Sequence, residues 1–207
     1  MDDVAARARM VDEQLRTRGI ADARVLDAMR VVPRHEFVRA WERPLAYEDG
    51  PLPIGHGQTI SQPYIVALMC ELAALDTTSS ALEVGGGCGY QAAVLGRLAR
   101  TVVSLEIVAP LAQEAAVRLA RLGFANVEMR HADGRAGAPD RAPFDAILVA
   151  AAAPEVPEAL FAQLVPGGRL VAPVGGAEQE LRVHRRTDDG IVVERVCGVA
   201  FVPMTGG

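Results

Sequence analysis

The chain has 207 residues, 21 basic and 26 acidic, with half of its residues hydrophobic and 23% charged; this is the composition of one extended globular domain and excludes disordered, collagen-like and disulfide-scaffold proteins. The net charge of −5 argues against a nucleic-acid partner held by phosphate neutralisation, and no apolar run approaches the roughly 18 residues of a membrane span. All 21 basic residues are Arg, which removes Schiff-base chemistry on an enzyme lysine and removes the P-loop lysine.

In chain order, residues 4–15 carry apolar side chains at helical spacing, and Gly19 supplies a C-cap. Asp22 caps a second short helix through Val25, Leu26 and Met29. Prolines 33, 44, 51 and 53 with glycines 50, 55 and 57 make residues 44–62 a structured loop, packed through Leu52, Ile54 and Ile60. After Pro63 the pattern becomes regular. Helices over 64–75, 92–98, 111–122 and 158–164 alternate with strands over 81–84, 101–107, 127–130, 144–150 and 169–174, which means βαβ units and a parallel sheet. Residues 181–185 and 191–197, separated by Asp188-Asp189-Gly190, read as a hairpin.

The three cysteines, Cys70, Cys88 and Cys197, are widely spaced and form no CxxC, so neither a disulfide framework nor a zinc site is implied. With the acidic start Met1-Asp2-Asp3, unlike a secretory leader, this points to a reducing cytoplasm. No metal ligation is expected.

Glu83-Val84-Gly85-Gly86-Gly87-Cys88-Gly89-Tyr90 lies between a predicted strand and a predicted helix. Glycines there turn the backbone tightly and admit a ligand at the positive end of the helix. Gly85, Gly87 and Gly89 spell GxGxG, but Tyr90 stands where a dinucleotide fingerprint needs its third Gly, so the nicotinamide reading loses its most specific element. Glu106 ends the second strand about twenty residues on, where a carboxylate accepts hydrogen bonds from ribose hydroxyls. Asp133-Gly134 follows the third strand, placed to meet an adenine edge. The run from Leu52 to Pro63 sets Gln58, Thr59 and Ser61 between glycines just before a helix, a composition suited either to holding a carboxylate or to capping that helix.

These residues resemble the protein-L-isoaspartate O-methyltransferase family over nearly the whole chain. The resemblance rests on Val32-Pro33-Arg34, the Gly57-Gln58-Thr59-Ile60-Ser61-Gln62-Pro63 run, the glycine motif, His131-Ala132-Asp133-Gly134, Pro143-Phe144-Asp145-Ala146, Pro166-Gly167-Gly168-Arg169 and Phe201-Val202-Pro203-Met204. It implies an α/β fold of the S-adenosylmethionine-dependent methyltransferase (Rossmann-like) type, a doubly wound, mostly parallel sheet with an N-terminal helical extension and a C-terminal antiparallel hairpin. It implies one domain over 1–207: helices and substrate loop at 1–62, cofactor core at 63–176, and terminal strands at 177–207. By the same resemblance Ser61 is the active-site serine and Gln58, Thr59, Ile60 and Ser61 meet the substrate. Thr59, Ile60, Glu83, Gly85, Gly87, Gly89, Glu106, Asp133, Gly134 and Thr205 meet S-adenosyl-L-methionine. Gly86 and Cys88 depart from the family, which usually carries hydroxyl residues there.

The implied reaction is methyl transfer to the free α-carboxylate of an L-isoaspartyl residue in a damaged protein or peptide, by a monomer without nucleic-acid or membrane partners. A methyltransferase dedicated to one natural-product peptide and a non-catalytic cofactor-binding scaffold are the alternatives. His56 and His131 are read as loop residues, because an ionised carboxylate needs no general base; His35 and His184 are read as surface residues.

Overall fold

In the computed structural model, which describes residues 3–206, seven strands form one mixed sheet in the order β5-β4-β3-β6-β7-β8-β9. The first two residues of the acidic start, Met1-Asp2, lie outside the described residues. The strands are β3 (Ser80–Val84), β4 (Thr101–Glu106), β5 (Val127–His131), β6 (Phe144–Val149), β7 (Leu164–Gly175), β8 (Gln179–Thr187) and β9 (Gly190–Val199). Pairs among β3 to β7 are parallel, and β7-β8 and β8-β9 are antiparallel. The chain leaves β3 for β4 and β5 on one side and returns to β6 on the other, so the end of β3 is a topological switch point, where ligands bind in open α/β sheets.

Alternation along the strands sorts side chains onto two buried faces. Ala81, Val102, Ala146 and Leu148 join the larger cluster, with α3 (Pro63–Ala73), α4 (Tyr90–Leu98) and α5 (Ala109–Arg121). Leu82, Val103, Leu105, Phe144, Ile147 and Leu170 face the other way, with Leu160 of α6 (Glu158–Ala162). Because both faces are covered, His184 on β8 is buried against the Phe161 ring and is not the expected surface residue. Among the described residues its ring Nε2 has no partner, and burial holds its pKa below the usual imidazole value. His35 is likewise drawn in, its Nδ1 lying 2.6 Å from the Tyr47 hydroxyl.

The N-terminal segment begins as α1 (Asp3–Arg9), continues through a π-helical turn (Met10–Leu15) and a 3₁₀ turn (Arg16–Arg18), and ends at Gly19 with φ of 95°. Asp22 caps α2 (Ala23–Val31) by accepting the Arg24 N–H at 2.8 Å. The stretch read as loop contains a two-stranded hairpin, β1 (Leu52–Gly55) and β2 (Gln58–Ile60). It turns through Gly55, His56 and Gly57, all at positive φ. A three-residue strand is too short for its alternation to stand out in sequence. β7 also starts earlier than its pattern, at Leu164, running through Pro166-Gly167-Gly168 with an irregular register against β6.

One carboxylate ties the N-terminal segment to the core: Glu71 on α3 accepts the N–H groups of Ala21 and Asp22, at 2.7 and 2.6 Å, at the entry to α2. Two hydrogen bonds to a charged acceptor are worth about 1.5–3 kcal/mol each at most, less where water competes. Glu71→Ala is therefore expected to lower unfolding free energy by about 1–3 kcal/mol and to speed amide exchange in α2. Urea denaturation and hydrogen exchange check this; parental stability with unchanged exchange would contradict it.

Candidate active site

The glycine loop hooks over the neighbouring strand. The N–H groups of Gly85 and Gly86 both donate to the Leu105 carbonyl, at 2.8 and 3.0 Å. Gly85 and Gly87 take φ of 88° and 53°, a region that disfavours side chains. Glu106 braces the turn: Oε2 accepts the Gly87 N–H at 2.7 Å and Oε1 accepts the Val108 N–H at 2.8 Å, where α5 begins. A carboxylate has about four acceptor sites, so each oxygen keeps capacity for a ligand hydroxyl.

Two small cavities line this turn, and a wider groove shares wall residues with them. A narrow cleft is lined by Gly85, Gly87, Glu106, Gly134 and the stretch from Val202 to Thr205, with Gln58 and Thr59 of β2 across from them. A second small cavity lies among Ile60, Ser61, Glu83, Gly86 and Cys88. A wide groove of ≈ 940 Å³ opens beside them, lined by Ser61, Gln62, Tyr64 and the segment around β9. Thr59 and Ala150 border all three, and Ser61 borders the groove and the second cavity. The C-terminal stretch is pinned there because Ala152 N–H donates to Val202 O at 2.8 Å and Met204 N–H to Ala152 O at 2.7 Å.

Among the described residues the Ser61 hydroxyl has no hydrogen-bond partner, and no basic side chain is bonded to it. Gly89 lies off the cavities: it is the N-cap of α4, and a Cβ there would press on Ala115 and Leu119 at 3.3 Å. Asp133 is held by Arg135, which donates to both its oxygens and keeps its carboxyl below the usual range. Only its neighbour Gly134 lines the cleft, packed so closely on Val84 that a Cβ would collide with it. His56 sits at the hairpin turn and His131 Nε2 lies 3.2 Å from the Ile107 carbonyl.

Sequence reasoning missed Arg18, whose guanidinium stacks 3.5 Å from the Tyr64 ring centroid and pairs with Asp49 at 2.8 Å on the groove wall. No local pattern marks it, since its partners lie more than thirty positions away. Ala150, by contrast, follows the end of β6 and was findable from the rule that sites gather at the carboxyl ends of parallel strands.

Glu83 is the unusual group. It is fully buried on β3, its Oε2 receives the Ser104 hydroxyl, and among the described residues its Oε1 has no partner. Burial drives its pKa up to about 8, the Ser104 hydrogen bond opposing and the Glu106 charge adding. A backbone cradle without side chains, a braced carboxylate and an orphaned buried oxygen fit a ligand with ribose hydroxyls and a cationic end.

A Rossmann-like sheet with this turn at its switch point is the architecture of the S-adenosylmethionine-dependent methyltransferases, shared with dinucleotide-binding folds. The sequence profile of protein-L-isoaspartate(D-aspartate) O-methyltransferase matches residues 6–207, and the chain belongs to that family. It is 57% identical to protein-L-isoaspartate O-methyltransferase 2 of Nitrosococcus oceani, over 89% of this chain and 85% of that one. It is 53% identical to the protein-L-isoaspartate O-methyltransferase of Roseiflexus castenholzii, over 100% and 95%. A solved protein-L-isoaspartate O-methyltransferase superposes with a TM-score of 0.89 at 32% identity, covering 97% of this chain and 66% of that longer one. A Plasmodium falciparum protein assigned the same activity, solved with S-adenosyl-L-homocysteine, gives 0.83 at 28% identity, covering 96% and 98%. The family's cofactor is S-adenosyl-L-methionine.

Glu83 makes the unliganded fold sensitive to pH. Its folded pKa of about 8 exceeds the ordinary 4.5, so between these values the native state holds a proton that the unfolded chain has lost. Stability then falls as pH rises through that window and levels off above it. Glu83→Gln lacks this proton, so the stability of the parent relative to the variant should decline from pH 5 to pH 8 in urea titrations. A difference constant with pH would contradict the assignment.

Proposed function

We propose that this protein methylates the free α-carboxylate of L-isoaspartyl residues in proteins or peptides, with Ser61 holding that carboxylate at the mouth of the cofactor cleft. The observation that carries the reading is the partnerless Ser61 hydroxyl where the wide groove meets the glycine turn. S-adenosyl-L-methionine, when bound, supplies a methyl group on a sulfonium.

Glu106 and the glycine turn hold the ribose, Gly134 and Asp133 border the adenine, and Glu83 lies at the cationic amino-acid end. Thr59, Ile60 and Thr205 close around the ligand from β2 and the C-terminus. The cleft and its companion cavity share Thr59, Gly85, Gly87 and Ala150, so one ligand borders both. Gln58, Thr59, Ile60 and Ser61 border the substrate, and the Ser61 hydroxyl donates to its carboxylate. Its attack needs no proton removed at neutral pH. Catalysis is alignment and exclusion of water, effects that reach about 7–11 kcal/mol in favourable geometry.

The methyl ester closes to a succinimide with loss of methanol, and hydrolysis of the ring returns some normal aspartate, which is repair of aged protein. The stretches 1–62, 63–176 and 177–207 act together as one domain. The protein works as a monomer in a reducing cytoplasm. No described helix is long and apolar enough to cross a membrane.

Labelled methyl transfer to an isoaspartyl peptide beside its aspartyl twin tests the reading, with label entering only the former. Ser61→Ala loses one hydrogen bond to a charged group, worth about 1.5–3 kcal/mol, so methyl transfer slows by about tenfold to a hundredfold while cofactor affinity changes little. Loss of nearly all activity, or a methylated serine at position 61 in single-turnover mass spectra, would mean covalent catalysis instead.

A further inference from the structure

We propose that Ser104 is a positioning residue for the cofactor: its hydroxyl fills the space that a side chain at Gly86 would take, fixes Glu83 Oε2, and leaves Glu83 Oε1 for the ligand's cationic end. The inference rests on the placing of Glu83 at that end of the cofactor, and adds the two residues that make the placing work.

Three observations converge. Ser104 Oγ donates to Glu83 Oε2, and both residues are wholly buried. A Cβ built on Gly86 would collide with Ser104 Oγ, would stand 2.9 Å from the Met129 methyl and 3.3 Å from Glu83 Oε2. Glu83 Oε1 is buried without a partner, while Glu83 lines the cavity shared with Ser61 and Gly87. Gly86 therefore lacks a side chain for a different reason from Gly85 and Gly87, whose backbone takes positive φ. At Gly86 the room belongs to the hydroxyl of the neighbouring strand.

A hydroxyl can reach Glu83 Oε2 from either position, and not from both together. Carrying it on β4 leaves the loop backbone bare and keeps one carboxylate rotamer. The titratable groups facing Glu83 are Glu106 on β4, Cys70 on α3 and Cys88 in the loop, and no ion pair reaches it among the described residues. Its nearest charge is thus a like one, and a cation arriving at Oε1 favours ionisation, the released proton passing to the buffer. Binding then strengthens with pH and levels off above about 8.

The test is calorimetric titration with S-adenosyl-L-homocysteine from pH 6.5 to 9, in two buffers of different ionisation enthalpy, for Ser104→Ala, Gly86→Ser, the double variant and Glu83→Gln. Ser104→Ala should weaken binding by about tenfold and move the pH midpoint upward, since the hydrogen bond it removes favours the carboxylate. Gly86→Ser should weaken it at least as much. The double variant should return to within about threefold of the parent, because the introduced hydroxyl takes over the donation to Oε2. Ser104→Ala with parental affinity and midpoint would overturn the inference, as would a double variant that is additive or fails to fold. If Glu83→Gln binds like the parent at pH 9, the cofactor reading of Glu83 fails and takes the inference with it. If Glu83→Gln is weak while Ser104→Ala is not, only the role of Ser104 fails.

Discussion

The site depends on one carboxylate brace. Glu106 accepts one N–H from the glycine turn and one from the start of α5, joining the two elements that leave the carboxyl ends of β3 and β4. Both donors belong to backbone that would otherwise need water at a largely buried position. Holding them lets the turn keep positive φ at Gly85 and Gly87 without side-chain contacts to support it. The cleft is therefore organised by backbone and one buried charge, and its shape follows from the sheet order.

Around that brace the protein assembles two kinds of wall. The rigid wall comes from β3, β4 and β6, whose ends are fixed by parallel pairing and by buried side chains on both faces. The other wall comes from the β1-β2 hairpin and the C-terminal stretch, distant in sequence from the core and joined to it by a few backbone bonds and the buried Leu52, Ile54 and Ile60. Ser61 stands where these walls meet. A wall held by strand pairing that faces a thinner cover would suit the proposed reaction, whose main demand is alignment and exclusion of water.

Much of this was legible in the sequence, for reasons that differ by element. The alternation of helix and strand periods after Pro63 gave the parallel core, since strands buried on both faces carry continuous apolar runs. Glu106 was found because a carboxylate at the end of β4 is a fixed distance from the glycine turn in any fold of this kind. Gly89, read as part of the ligand cradle, is also where a Cβ would press on Ala115 and Leu119, a packing constraint that periodicity does not reveal. His184 and Arg18 were hidden for a shared reason: what surrounds them is supplied by Phe161 and Tyr64, from other parts of the chain. The Glu83–Ser104–Gly86 arrangement was likewise invisible, because it joins two strands through a space that only coordinates reveal.

The central claim is that the cofactor and the isoaspartyl carboxylate meet at Ser61 from adjoining cavities. A co-crystal structure with S-adenosyl-L-homocysteine and an isoaspartyl peptide measures this directly. The account predicts ribose density at Glu106, the peptide in the groove beside Tyr64, and its free α-carboxylate within hydrogen-bond distance of Ser61 Oγ and facing the cofactor sulfur. A nucleoside seated away from Glu106, or a peptide whose carboxylate points out of the groove, would contradict it.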